Sequence, residues 1–487
     1  MKQVLAFDFG ASSGRAMLGR LENGTLSMTE IHRFSNDTVS VSGTMYWDIL
    51  RLFYEVKQAF YRLRQMGETI DAVGIDTWGV DFGLIGRNGK LLSNPVHYRD
   101  SRTHGIPEEV FRTLPRHEIY RRTGIQTMHF NTLYQLYYLA HREPELLTET
   151  DKILMIPDLF AYFLTGKMRV ERTNASTTNF LNPETREWDT DLLRTLGIPD
   201  RILPDLIDAG EVYGTLTPDL AAEFGCGEIP VIAVCTHDTG SAVAAAPAAG
   251  DFAYISCGTW SLFGTELQKP LITPASEEIQ YTNEGGYHGT IRFLKNIMGL
   301  WLIQESRRQW LREGQEVTYA DLEREALAAK PFVSWIDVDD PAFEAAGDLP
   351  GRVRDFCRRT GQPVPESRGE VMRCIYQSLA MKYQITYENL VRMTGVRYPK
   401  IHMLGGGIKD TLLCRLTAAA TGATVMAGPT EATVMGNIAV QMIALGEIPT
   451  WEEARRVIGA STPIAVYPPE DAKVWQAERA HYEAAIR

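Results

Sequence analysis

The 487-residue chain has no Cys-x-x-Cys pair, no Gly-x-x-x-x-Gly-Lys-Ser/Thr loop, no His-Arg-Asp and no apolar run long enough to cross a bilayer. Each absence removes a class. Its six cysteines, at 226, 235, 257, 357, 374 and 414, stand singly, so neither a zinc ribbon nor a redox dithiol is expected. Free thiols in a reducing cytosol are the plain reading, with Cys357 and Cys374 the pair whose proximity the fold must decide. Asp-Phe-Gly occurs twice, at Asp8 and at Asp81, yet no His-Arg-Asp precedes either copy, and the imitation His141-Arg142-Glu143 follows both. The magnesium-holding signature of a protein kinase is thereby excluded. A basic surplus is also missing: 49 Lys and Arg against 61 Asp and Glu leave a net charge of -12. That argues against a nucleic-acid or anionic-membrane surface, since both need a basic face. A local basic pocket for a nucleotide stays allowed.

What is present is an ordinary globular composition, 44% hydrophobic and 23% charged. The length exceeds what one core usually organises, so two domains, or three, are expected. The apolar run in "MKQVLAFDFG" reaches an aspartate too soon for a signal peptide, and a cytoplasmic protein is expected.

Residues 3 to 9 read as a buried strand, followed after a Gly/Ser turn by two strands joined at the hairpin signal Asn23-Gly24. In "WDILRLFYEVKQAFYRLRQMG" the apolar residues 49, 52, 53, 56, 59, 60 and 63 share one helical face. Strands then end at Asp76 and resume near Asp81. Antiparallel opening strands with a helix predict an α/β domain unlike a doubly wound dinucleotide fold. "FAYISCGTWSLFG" repeats the strand, turn and strand of residues 4 to 18 half a chain later, an internal echo. A capping box at Ser367 and Glu370 opens a helix running to about Met393. Strand "KIHML", the turn Gly405-Gly406-Gly407, helix "TLLCRLTAAATG", strand "ATVMAG" and a final helix through "TVMGNIAVQMIALG" follow. The boundary is placed near 246, giving domains 1–246 and 247–487.

Four groups can carry chemistry. "FGASSGR" is followed by a strand, so Gly10, Ser12, Ser13 and Gly14 either make a plain turn or hold phosphate through backbone N–H groups, hydroxyls and Arg15. Asp8, ending the strand before it, is then placed to hold a hydrated magnesium. In "PVIAVCTHDTGSAVAAA" an apolar strand ends at Cys235 and an Ala-rich helix starts near Gly240. Asp238 there is either a general base for phosphoryl transfer or a helix N-cap, and His237 either a polar filler or a substrate donor. Trp78 and Gly79 offer an aromatic wall and open backbone suited to a sugar. Taken alone, Arg99, Asp100 and Arg102 read as an ion-paired surface turn. Gly405-Gly406-Gly407 lets backbone approach a nucleotide, or is a helix-entry turn.

In this order, "FDFGASSGR", "THDTGSA", "SCGTWS", "LGGGIKDTLLCRL" and "AGPTEATVMGNIAVQM" resemble the FGGY family of carbohydrate kinases of the actin-like ATPase superfamily. The resemblance implies two actin-like (ribonuclease H-like) α/β domains with a catalytic cleft, ATP and Mg2+ as cofactors, and a small-molecule ketose as substrate. It implies Asp238 as catalytic base, with Trp78, Gly79, His237 and Thr239 beside the sugar. Ala11, Ser12, Ser13, Gly14 and Arg15 match the first ATP phosphate loop, and Thr259 the second. Asn296, Gln304 and Gly405 match nucleotide-side positions, and Asp8 the magnesium-associated aspartate. "GASSGR", "GIDTWGVDF", "YRDSRT", "FNTLYQL", "TNEGG" and "LKNIMGLWLIQ" are similar to the branch that phosphorylates the C1 hydroxyl of L-rhamnulose in L-rhamnose catabolism. Ala11-Ser12-Ser13 replaces the threonine-rich loop typical of glycerol kinases. A sister kinase for L-fuculose or L-xylulose, and an actin-like ATPase without a sugar, are the alternatives.

Overall fold

The computed structural model describes residues 2–487. Residues Met1–Pro247, Glu266–Phe293 and Ala432–Ser461 form one compact unit; Ala248–Thr265, Leu294–Glu431 and Thr462–Arg487 form a second. The expected cut at 246 falls beside the end of the first stretch, while 266–293 and 432–461 return to the first unit.

The first unit is built on a six-stranded sheet in the order Val212–Thr215, Pro230–Ile232, Ala72–Thr77, Gln3–Phe9, Ser13–Glu22, Thr25–Ser35. Gln3–Phe9 and Pro230–Ile232 each run parallel to Ala72–Thr77, and Ser13–Glu22 and Thr25–Ser35 continue antiparallel. The hairpin expected at Asn23-Gly24 forms, with φ of 51° and 75°, the paired positive values that match strand twist in a two-residue loop. The expected helix is Ile49–Met66, and it buries Ile49, Leu52, Val56, Ala59, Phe60 and Leu63 against the sheet-side core. Asp48 caps its start and Gly67, in the left-handed region, ends it. A small hairpin of Thr38–Val41 and Thr44–Trp47 precedes this helix, and the sequence reading lacked it. Helix Ala432–Ala444 closes on the helix beginning at Asp238, where a Cβ on Gly436 would lie 1.9 Å from the Ser241 carbonyl oxygen. Only glycine permits that approach.

The second unit repeats the arrangement. Ala253–Cys257 pairs antiparallel with Trp260–Leu267 and parallel with Lys400–Leu404, which runs parallel to Thr424–Ala427. The internal echo is therefore topological as well as textual. The Ser367 and Glu370 capping box forms and starts helix Arg368–Thr394. The helix expected to be last is followed by Trp451–Ser461, strand Ala465–Tyr467 and Ala472–Ala485. All six cysteines are free, and Cys357 and Cys374 are both buried.

Candidate active site

Three acidic residues converge because three parallel strands end together. In the register of Gln3–Phe9 with Ala72–Thr77, Asp8 is the partner of Asp76, and Thr77 bridges in parallel to His237, one residue before Asp238. Ligands of open α/β sheets bind at such carboxyl ends. Asp76 is fully buried. Burial, and then the neighbouring Asp8 charge, drive it well above the ordinary carboxylate range despite a hydrogen bond from Asn437, with Asp238 adding to the rise. Asp8 is held by Arg15, whose Nη2 and Nε reach its Oδ2 at 2.8 and 3.1 Å.

Asp238 is the first residue of helix Asp238–Ala244, and His237 occupies the cap position without a side-chain cap bond. The N-cap alternative for Asp238 is therefore corrected: the cap position belongs to His237, and Asp238 lies one step inside the helix. Its Oδ1 accepts from the Thr239 amide, the second of the helix, and, at 3.1 Å, from the Thr239 hydroxyl. Behind it, Thr236 is tied by its amide and hydroxyl, both at 3.0 Å, to buried Glu171. His237 Nδ1 lies 2.9 Å from Nη2 of Arg292 and 3.3 Å from Oε2 of Glu284, and its Nε2 lies 3.5 Å from Oδ1 of Asp238. Burial raises the Glu284 carboxyl, yet the group is held below its ordinary value, with the Arg292 charge the largest opposing cause. Glu171, Glu284 and Arg292 were missed as site residues by sequence reasoning. Only Glu284 left a trace, inside "TNEGG", where nothing marks it as buried.

The Trp78–Gly79 segment lies next to this corner, since the Thr77 amide donates to the Thr236 carbonyl at 2.9 Å. The aromatic wall needs correction. Trp78 is only 6% exposed, packs on Trp47 at 4.1 Å between centroids with the rings tilted by 34°, and gives its indole N–H to Asp81. Asp81 also accepts from Trp47 at 2.6 Å, Gln135 at 3.1 Å and the Tyr98 amide at 3.2 Å. Burial nevertheless raises its carboxyl to about 6. Trp78 thus shapes the turn from beneath, leaving Gly79 and Val80 as its accessible edge. A Cβ on Gly79 would lie 2.9 Å from Thr177. Val80 holds φ of 65°, strained for a β-branched residue, and is tied down by Thr177 at its amide and Thr132 at its carbonyl. The ion-paired surface turn expected at 99–102 is also corrected. Asp100 is buried and its carboxylate accepts from the Met45 and Arg102 amides at 2.8 and 2.9 Å, while Arg102 donates to Gln135.

The first loop spans Gly10 to Arg15. The Gly10 amide donates to the Ser13 carbonyl at 2.9 Å, Asn36 braces the turn from the side, and Ser12 is exposed at its tip. Gly14 serves packing, since a Cβ there would meet Phe34 at 2.3 Å. Ala11, Ser12 and Ser13 line this turn, and the Arg15 guanidinium beside it pairs with Asp8.

In the second unit, Thr259 forms the turn between Ala253–Cys257 and Trp260–Leu267, and its carbonyl accepts from the Gly299 and Trp301 amides at 3.2 and 3.1 Å. That places Gln304, one turn into helix Trp301–Arg312, and Asn296, near the end of Ile291–Met298, around the same corner. Gly405 follows Lys400–Leu404 with φ of 88°, against Cys257. Thr259 and Gly405 thus follow the carboxyl ends of two parallel strands, Ala253–Cys257 and Lys400–Leu404. Among the described residues no group of three or more His, Cys, Asp or Glu side chains forms a ready metal cage.

Comparison with known proteins agrees with this geometry. Residues 3–245 match the model of the FGGY family of carbohydrate kinases, N-terminal domain, and residues 253–445 that of its C-terminal domain. A rhamnulokinase of Bacteroides thetaiotaomicron is 44% identical over 489 residues, covering 100% of both chains. A rhamnulokinase of Bacillus subtilis is 41% identical over 96% of this chain and 95% of its own. Among solved structures, xylulose kinase from Lactobacillus acidophilus superposes with a TM-score of 0.81 at 18% identity, covering 99% of this chain and 97% of its own. Glycerol kinase of Plasmodium falciparum with ADP gives 0.80 at 14% identity, covering 100% and 97%. The expected two-domain α/β fold of the actin-like type is thereby established.

Proposed function

The chain belongs to the FGGY family of carbohydrate kinases, and from that premise we propose that it transfers the γ-phosphoryl group of ATP to the C1 hydroxyl of L-rhamnulose, releasing L-rhamnulose 1-phosphate and ADP. Full-length similarity to rhamnulokinases supports the substrate. The observation that carries the mechanism is Asp238, half-buried at the convergence of parallel strand ends and held by Thr239.

Asp238 takes the C1 hydroxyl proton as that oxygen forms its bond to the γ-phosphorus and the bond from γ-phosphorus to the β,γ-bridging oxygen breaks. Gly79, His237 and Thr239 line the sugar side, and Trp78 supports them from below. Ala11, Ser12, Ser13, Gly14 and Arg15 form the phosphate loop of the first domain, residues 1–246, with Gly14 setting its packing. Thr259, Asn296, Gln304 and Gly405 form the nucleotide side of the second, residues 247–487. Mg2+ would be held through water by Asp8. The donor chemistry fits, because Mg2+ prefers hard oxygens and keeps its waters where carboxylates are few. Bound with ATP, it neutralises phosphate charge.

A small-molecule sugar and ATP are the partners of this reaction. Among the described residues no helix is long and apolar enough to cross a membrane, and we read the setting as cytoplasmic. The test is ADP release across a ketose panel with wild type and Asp238→Asn. L-rhamnulose should give the highest kcat/KM, and the variant should lose about 10²-fold or more in kcat with ATP affinity retained. A preference for L-fuculose or L-xylulose would reassign the substrate, release without any sugar would return the ATPase alternative, and an active variant would remove Asp238 as base.

A further inference from the structure

We propose that Arg292 and Glu284 are positioning residues that hold His237 in its neutral Nε2–H tautomer, so that the imidazole donates beside Asp238 and leaves Asp238 the sole proton acceptor there. The inference rests on the reading of Asp238 as the base. Its warrant is geometric. Nη2 of Arg292 is 2.9 Å from His237 Nδ1. A guanidinium has only donors and keeps its protons, so Nδ1 must supply the lone pair and the ring proton must sit on Nε2. The opposite tautomer would direct an Nδ1–H at Glu284 Oε2, but that contact is longer, 3.3 Å, and would set two donors against each other at 2.9 Å. The same Nη2 lies 3.1 Å from Glu284 Oε2 as a charge contact without hydrogen-bond geometry, so its directed proton is the one aimed at the ring. Nε of Arg292 is fixed by the Gly285 carbonyl at 2.8 Å, which orients the whole fork.

Arg292 is 0% exposed. A buried ion pair returns little net stability against an apolar pair of similar volume, so packing alone gives no reason for one at this spot. Its value lies in specifying the imidazole. Were Nε2 left as a lone pair, 3.5 Å from Asp238 Oδ1, the ring would compete for the sugar proton and repel the carboxylate it now faces.

The test is a long-range 15N–1H correlation spectrum of the full-length protein labelled at its ten histidines, with His237 assigned by the signal lost in His237→Gln. Wild type should show the Nε2-protonated pattern at neutral pH. Because Arg292→Met alone would strand a buried carboxylate, the paired variant Glu284→Gln/Arg292→Met removes both charges. It should shift His237 to a mixture of tautomers and lower kcat by about 10²-fold, the scale of a misplaced catalytic contact, with KM for ATP unchanged. Arg292→Lys, which keeps a cationic donor, should restore part of both. An Nδ1-protonated wild type, or a folded double variant with unaltered tautomer and kcat, would overturn the proposal. Retained turnover in Asp238→Asn would instead remove the base assignment, and it would leave the tautomer result standing.

Discussion

Asn437 donates from Nδ2 to Oδ2 of Asp76 at 2.5 Å, across 361 positions of sequence. It also reaches the Phe7 carbonyl at 3.4 Å, and Gln441, one turn on, donates to the Leu5 carbonyl at 3.2 Å and to Asn437 Oδ1 at 2.7 Å. Helix Ala432–Ala444 is thus pinned to the two strands that carry Asp8 and Asp76.

Burial and the Asp8 charge both push the Asp76 carboxyl up, so Asp76→Asn should cost less stability than Asn437→Leu, which strips a buried carboxyl of its donor and should cost about 3 kcal/mol. Urea denaturation of both variants measures this. A larger loss in Asp76→Asn than in Asn437→Leu would show that Asp76 is charged in the native protein.

Adjacent glycines separate packing from ligand approach. A Cβ on Gly407 would lie 2.5 Å from the Cys257 thiol and 2.7 Å from its carbonyl oxygen, while one on Gly406 meets nothing within 4 Å. Gly407→Ala should cost about 1–3 kcal/mol of stability. Gly406→Ala should leave the melting temperature in place and raise KM for ATP about fivefold, the equivalent of about 1 kcal/mol of lost approach. Calorimetry and steady-state kinetics on the pair check both.

The Asp81 carboxyl is raised to about 6 in the fold, against about 3.9 in an unfolded chain. A raised folded value means that the native state binds the proton more tightly. Its favourable contribution is complete below the unfolded value and is lost as pH rises through 6. The stability of wild type relative to Asp81→Asn, which does not titrate, should therefore fall by about 3 kcal/mol between pH 4 and pH 7. Parallel melting curves of the two proteins across that range would contradict the assignment.

Arg15 is paired with Asp8, and a guanidinium that turns to phosphate contributes charge-assisted bonds. Arg15→Ala should raise KM for ATP by about tenfold, from loss of about 1.5 kcal/mol, with KM for the ketose unchanged. Equal increases for both substrates would place Arg15 in the architecture of the loop only.

Much of this molecule was legible in one dimension, for identifiable reasons. The Asn23-Gly24 turn, the helix face of Ile49 through Leu63 and the Ser367–Glu370 box are set by neighbours within a few residues, so local steric and hydrogen-bonding rules decide them. The phosphate loop and the Thr-His-Asp-Thr segment were visible as well, because a turn that ends an apolar strand leaves a compact polar signature.

What lay beyond reading was whatever depends on burial or on a distant partner. Trp78 looked like a sugar platform, and only its packing on Trp47 and its bond to Asp81 show it to be support. Only the structure gives the cap position to His237 and starts the helix on Asp238. By itself the sequence determined the strands, turns and helix ends, and the residue types able to bind phosphate and accept a proton, since these follow from periodicity and side-chain chemistry at short range. Tertiary structure alone decided which groups lie side by side: Asp8 with Asp76, Arg292 with His237, Asn437 with both opening strands. Strand register and helix docking set those distances, and protonation, tautomer and charge follow from distance and burial.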